Sequence, residues 1–404
     1  MSSGLRALRK IQIGEEAIKG TAIPATNALA GVLTMKESPT IHRPVEERGQ
    51  LAEFSRSVKV ANLAELTLES DVTFEQILWL LHMGVLGGVV PVTAGAPATA
   101  NRWTFTPAMA AAGVFDSFTI EYGDDIEQWE SEYCMASAIE ISGAMNEPMK
   151  VRGDIFGRKM TVCAFTGAFS VPTVESVLTQ KARLYIDDET GKIGGTIQSD
   201  TLIGFTYRIN TGLTFKRFAD GSIDFSSYNE NFKGVELRMT FAFNAGAEVE
   251  RLKFDGSTQR LVRIEALGSA AQAKEDSGDT VGVGDWTDVA TNVLVTASAN
   301  FTVDRVIIVD TERLLVTALT DATHLTVVRG YEGTTAAAHT AAATIYAVHD
   351  KRLVLDFCGI YTDWATLSDR DGEDVVEVTM SPERGTTYTK LFEVGVENAT
   401  AVLI

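Results

Sequence analysis

Leu63-Ala-Glu-Leu-Thr-Leu-Glu69 runs almost directly into Thr73-Phe-Glu-Gln-Ile-Leu-Trp-Leu-Leu-His82. In the first run Glu65, Thr67 and Glu69 fall on one side and Leu66 and Leu68 on the other, the period of a strand with one wet and one packed face. In the second, Phe74, Ile77, Leu78 and Leu81 recur at helical spacing. Thr73 and Gln76 form a capping box in front of them, and Gly84 offers a stop behind. A strand feeding into an apolar helix predicts a sheet with a helix laid on its packed face.

The alternation continues outward. In Val235-Glu-Leu-Arg-Met-Thr-Phe-Ala-Phe243, Glu236, Arg238 and Thr240 oppose Leu237, Met239 and Phe241. Further strand-like runs are Phe118 to Tyr122, Ala138 to Ser142, Met149 to Phe156, Ala182 to Ile186, Phe205 to Phe215, Leu261 to Ala266, Arg352 to Phe357, Asp374 to Met380 and Thr387 to Val396. Turn signals at Asp187–Gly191 and Asp220-Gly221 predict hairpins. Short strands at this spacing, with a single clear helix, read as a mainly β sandwich or barrel with a flanking α-helix.

The chain has 404 residues, 45% hydrophobic and 22% charged, which excludes global disorder and implies two or three units. Its formal charge of −19 argues against a protein that grips DNA, since gripping needs Lys and Arg to displace counterions from phosphate. Cys134, Cys163 and Cys358 lie far apart, so neither a disulfide framework nor a thiolate zinc knuckle is expected. The start lacks the apolar stretch of a secretory signal. Ile77 to Ala100 carries no fixed charge, but its glycines and Pro91 break it into a buried helix and a loop, so no membrane partner is expected.

Two composition shifts mark boundaries: Thr93 to Ala100, read as a long loop, and Gly268 to Asp276, read as an exposed linker. Beyond the second lie further strands, at Val293 to Thr296, Arg305 to Asp310, Leu314 to Leu319 and Thr323 to Arg329. The organisation expected is a discontinuous domain, 1–268 with 351–404, and a small β domain, Ig-like or otherwise, inserted at 269–350 in the tip of a hairpin, where insertion costs least.

No catalytic motif is present: no nucleophile elbow, zinc-protease helix, Walker loop or dinucleotide fingerprint. His42, His82, His324, His339 and His349 are scattered. Asp369-Arg-Asp-Gly-Glu-Asp374 resembles part of a calcium loop but reads as a turn. Asp124, Asp125, Glu127 and Glu130 read as a solvated acidic loop, with Trp129 as core or interface rather than a sugar platform. No catalytic, cofactor-binding or metal residue is assigned, no cofactor is expected, and the chain is not expected to be an enzyme.

Arg9-Lys-Ile-Gln-Ile-Gly14-Glu15-Glu16, followed by Gly20-Thr21-Ala22-Ile-Pro24-Ala25-Thr26, resembles the opening of the major tail tube proteins of long-tailed, siphovirus-like bacteriophages. The strand–helix order at Leu63 to His82 and the pairing of Asp374 to Met380 with Thr387 to Val396 fit the same family. The likeness covers residues 5 to 268 and 351 to 404. Val327-Val-Arg-Gly-Tyr-Glu-Gly-Thr-Thr-Ala-Ala-Ala-His339 is similar to small β modules of phage structural proteins.

The resemblance implies a tube fold whose inner sheet joins those of neighbouring copies. Six copies would form a ring, and rings would stack into a tail tube that carries genome DNA. It implies a virion location, assembly in the host cytoplasm, and as partners further copies, the tape measure, the tail terminator and distal tail proteins. Candidate lumen-facing residues are then Glu65, Thr67 and Glu69, or Glu236, Arg238 and Thr240. The charged segment Pro39 to Arg56, with Glu46, Glu47, Arg48 and Arg56, is a candidate arm toward the adjacent ring, and the insert is expected on the tube exterior. Excess negative charge in the lumen would keep phosphates from sticking. Rival readings are a receptor-binding or decoration protein and a carbohydrate-active β enzyme.

Overall fold

In the computed structural model, which describes residues 5–91, 101–167, 170–268, 274–301, 303, 305–348 and 351–403, the alternating runs pair into one large antiparallel sheet. Its first half contains β1 (Lys10–Glu15), β2 (Val32–Glu37), β3 (Ala64–Asp71), α1 (Ile77–Gly84), β4 (Phe118–Gly123), β5 (Gln128–Ala144), β6 (Lys150–Gly157) and β7 (Thr161–Cys163). The second contains β8 (Ala182–Asp188), β9 (Leu202–Asn210), β10 (Gly234–Ala242), α2 (Ala245–Asp255), β11 (Arg260–Leu267), β12 (Arg352–Trp364), β13 (Glu373–Pro382) and β14 (Phe392–Asn398).

The two halves are one design used twice. In the first, β2 pairs with β3, β3 with β6 and β6 with β5. In the second, β9 pairs with β10, β10 with β13 and β13 with β12. The long strands β5 and β12 each pass into a second layer. There β5 lies between β4 and β7, and β12 between β11 and β14. Strand β1 then borders β4 as β8 borders β11.

Registers agree as well as order. Leu66 pairs with Ile155 and Ile155 with Ala136; Leu237 pairs with Met380 and Met380 with Tyr361. Immediately beyond, each long strand carries a β-bulge, between Ala136 and Ala138 and between Tyr361 and Asp363. A capped turn leads into each helix at the same distance along the chain: the Thr73 hydroxyl accepts from the Gln76 N–H at 3.1 Å in the turn ahead of α1, and the Asn244 side chain accepts from the Ala247 N–H at 3.0 Å at the start of α2. A two-stranded hairpin also interrupts each half at the same point, Thr40–His42 with Val58–Ala61 and Leu213–Lys216 with Ser227–Glu230.

The halves join edge to edge. β5 pairs with β9 from Ala138–Asn210 to Ala144–Gly204, making one eight-stranded run in the order β2-β3-β6-β5-β9-β10-β13-β12. Leucines, isoleucines and aromatics from its packed face share one core with α1. The helix lies close because residue 153 is Gly: a Cβ there would meet Leu80 Cδ1 at 2.4 Å. The far end of the chain seals α1, since Asn398 donates to the Phe74 carbonyl at 2.5 Å and the Lys351 ammonium meets Glu75 at 2.5 Å.

Several expectations are corrected. Among the described residues there are two α-helices rather than one: Asn244 and the helix formers behind it build α2, a polar surface helix without the apolar stripe that betrays α1. The capping box is half formed, because the Gln76 amide is drawn to the Ala28 carbonyl and the Ala30 N–H. Phe205 to Phe215 is two elements, split at Thr211-Gly212, where Gly212 takes φ +74. Of the last expected run, Thr387 to Val396, only Phe392 onward is strand, and it pairs with β12 rather than with Asp374 to Met380. Lys274 to Asp276, expected in a linker, begin a strand. The loop expected at Thr93 to Ala100 lies outside the described residues, as do 269–273 of the linker.

Between β11 and β12 stands a separate curled six-stranded sheet. Its order is Lys274–Thr280, Thr344–Val348, Val306–Val309, Glu312–Leu319, His324–Val328, Asn292–Leu294, a single sheet rather than an Ig-like pair. It has its own core around Trp286, Val293, Phe301, Leu314, Val316 and Leu325. Glu312, buried, anchors the Arg329–His339 loop. Its carboxylate accepts from Arg329 at 2.7 and 2.8 Å, from the Gly330 and Ala337 N–H groups at 2.8 and 3.0 Å, and from His339 at 2.8 Å. Gly330 reaches this geometry at φ +60, a conformation open to glycine.

Burial alone would push the Glu312 carboxyl up, but Arg329, the two N–H groups and His339 outweigh it and hold it at about 2, against 4.5 for the free group. A carboxyl depressed on folding stabilises fully above its unfolded value, and that stability drains away as pH falls through its folded value. Glu312→Gln should therefore destabilise the inserted sheet by about 3–5 kcal/mol at neutral pH. It should also flatten the loss of stability between pH 4.5 and 2; calorimetry of the full chain across that window measures both.

Candidate functional site: the polar face of the large sheet

The face of the eight-stranded run opposite α1 is polar and exposed. Strand alternation puts every second residue there, and the registers line these up in rows. One row runs Glu69–Arg152–Glu140–Arg208–Glu236 across five adjacent strands, so opposite charges alternate at each step. The next runs Asp71–Lys150–Ser142–Thr206–Arg238–Thr379. Arg152 reaches Glu69 and Asp154, each at 3.3 Å, Arg208 reaches Glu140 at 3.5 Å, and Arg238 bonds Glu236 at 2.6 Å. Directly opposed cross-strand charges of opposite sign are favourable, but each of these pairs is wet.

Of the residues singled out from sequence, Glu65, Thr67 and Glu69 hold the same three register positions on β3 that Glu236, Arg238 and Thr240 hold on β10. The structure thus puts both sets on one continuous face. Glu65 accepts from the Ser38 hydroxyl at 2.7 Å, and Thr240 lies opposite Glu377. Sequence reasoning missed Glu140, Arg152 and Arg208. Their signal was the alternation of Lys150, Arg152 and Asp154 with Val151, Gly153 and Ile155.

The segment Pro39 to Arg56 leaves the sheet as an exposed arm on its two-stranded base. Its charges fold back on themselves: Glu46 binds Arg48 at 2.5 Å and Arg56 at 2.8 Å, while Glu47 is exposed. The acidic runs form turns. Asp124 accepts from the N–H groups of Ile126 and Glu127 at 2.9 and 3.2 Å, closing the β4–β5 hairpin. Asp371 and Gly372, at φ 55 and 87, make the tight turn before β13. The Gly14-Glu15-Glu16 motif has a local cause, since the Glu16 carboxylate gathers Gly20 N–H, Ser117, Thr119 and Tyr133 N–H within 3.0 Å.

Among the described residues, Glu15, His82 and Asp116 bring three potential metal-ligating atoms within 4.8 Å of one another. His82 Nε2 lies 3.1 Å from Asp116, and burial pushes the Glu15 carboxyl up, partly opposed by His82. A cavity of about 300 Å³ separates the inserted sheet from β11 and β12. Its wall is stitched by Arg263, which grips Asp356 at 2.7 and 2.8 Å and the Tyr331 hydroxyl at 2.6 Å, and Arg305 of the insert pairs with Glu397 nearby. These contacts bind the insert to the second layer, away from the polar face.

The wet ladder should contribute little to folding. In a double-mutant cycle of Glu140→Gln and Arg208→Gln, the coupling should stay below about 1 kcal/mol and shrink with added salt. A coupling of several kcal/mol would show that the row is covered in the free chain. No protein-family model matches the chain, and no curated protein sequence matches it.

Proposed function

We propose that this chain is a structural building block that polymerises into stacked rings to form a tube, as the major tail tube protein of a long-tailed bacteriophage does, with its polar sheet face lining a bore for genome DNA. The observation that carries this reading is the eight-stranded run. It is packed on one face, wet on the other, and among the described residues neither the outer edge of β2 nor that of β12 beyond Gly359 is paired. An open pair of edges on so large a sheet is an aggregation hazard unless other chains complete it. The wall would suit a passing polyanion, because Arg152, Arg208 and Arg238 are each paired with a carboxylate and offer phosphates no free cation. The Asp124 carboxylate serves a turn, which favours this reading over a sugar-cleaving one.

Concentrated protein should give hollow tubes by negative-stain imaging; discrete particles or monomers would sink the proposal. Removing residues 39–56 should leave a folded monomer and abolish polymerisation, as read by calorimetry and sedimentation. Replacing 269–350 by a short turn should leave tube growth intact, because among the described residues the insert is tied to the second layer through Arg263, Tyr331 and Arg305.

A further inference from the structure

The β5–β9 junction inside one chain is a template for the contact between chains. We propose that the β12 edge of one copy pairs with β2 of the next in the register of that junction, so that each copy fills two positions of the ring and a ring of six positions closes with three chains. This rests on the tube reading above and names its interface.

The proposal stands on residues that are covered at the internal junction and bare at the chain's two ends. Leu78 and Leu81 of α1 are 0% exposed. The same positions on α2, counted from the shared cap, are Val249 and Leu252, which are 53% and 67% exposed. The hairpins repeat the contrast. The second, Leu213 to Glu230, docks on the first half, where Leu213 and Phe225 are buried against Tyr133, Met135 and Phe156. The first leaves Ile41, Val45, Leu51, Phe54, Val58 and Val60 exposed. The bare groups on α2 and on the first hairpin therefore have covered counterparts in the other half, whose partners show what they need: the other end of a second copy. Such a head-to-tail contact closes into a ring when its rotation allows. It also sets the base of the Pro39–Arg56 arm against the lateral neighbour in the same ring, rather than reaching only toward the next one.

The register follows. Arg208 pairs with Glu140 across the internal junction, and Lys36 stands to Glu65 as Arg208 stands to Glu236. Glu140 lies three residues past the Ser137 bulge, as Ala365 lies three past the Thr362 bulge. Ala365, one residue past the end of β12 and still bonded through its N–H to the Glu377 carbonyl, therefore faces Lys36 of the next copy at the roughly 5 Å separation of directly opposed residues, which a disulfide can span.

The test is the full chain carrying Lys36→Cys and Ala365→Cys, oxidised after assembly. The double and the single variants all carry Cys163→Ser, since Cys163 is the one half-buried thiol among the described cysteines; burial, Glu121 and Glu130 push it up to about 11. Cross-linked rings released by detergent should run as a ladder that ends at three chains by native mass spectrometry, and either single variant should give none. As a second arm, Leu252→Glu should leave monomer melting unchanged and raise the concentration needed for assembly by about tenfold or more, since it removes buried apolar area from the contact alone. Tubes that form without the cross-link, or a ladder ending at six chains, would overturn the proposal while sparing the tube reading. Failure of wild-type protein to form tubes would overturn the tube reading itself.

Discussion

Backbone pairing between β5 and β9 is the constraint on which the rest of the molecule depends. It holds two copies of one strand–helix design in a single sheet and fixes their offset. A slip of one residue would turn Ile139, Ile141, Tyr207 and Ile209 out of the core and drive Glu140 and Arg208 into it. Burial of the packed face therefore specifies the register, and the register assembles the charge rows on the other face. The polar surface is a by-product of where the hydrophobic residues must go.

Both halves had to solve the same packing problem, and they solved it with different residues. In the first, Trp79 and its apolar neighbours put α1 inside the core. In the second, the position of Trp79 is Glu250, whose buried carboxylate bonds Arg260 at 2.7 and 3.0 Å and the Tyr361 hydroxyl at 3.0 Å. An ion pair with a tyrosine replaces an indole. Substitution of this kind leaves the topology standing while erasing the pattern that would betray a repeat.

This explains what could and could not be read from the amino acids. Strands with one wet face were legible wherever two-residue alternation survives, as at Glu65 to Glu69 and Glu236 to Thr240, and α1 was legible from its apolar period. Helix α2 was not, because it offers the core little beyond Ala247 and Glu250. The duplication was hidden by the inserted sheet, which separates β11 from β12, and by the exchange of apolar for polar residues. Even so, Ile13-Gly-Glu-Glu16 and Ile186-Asp-Asp-Glu189 open the two halves alike, and the caps Thr73 and Asn244 stand at matching distances behind Leu66 and Leu237. The charge rows required cross-strand registers, and no local window of sequence contains those.

The alternating row has an electrostatic corollary. Neighbouring strands lie about 4.8 Å apart, so successive charges along the row change sign over a distance shorter than the roughly 8 Å screening length of physiological salt. Fields from such closely interleaved opposite charges cancel within a few ångströms of the surface. Beyond those few ångströms the face presents a hydrated and nearly neutral surface, although it is one of the most densely charged in the molecule.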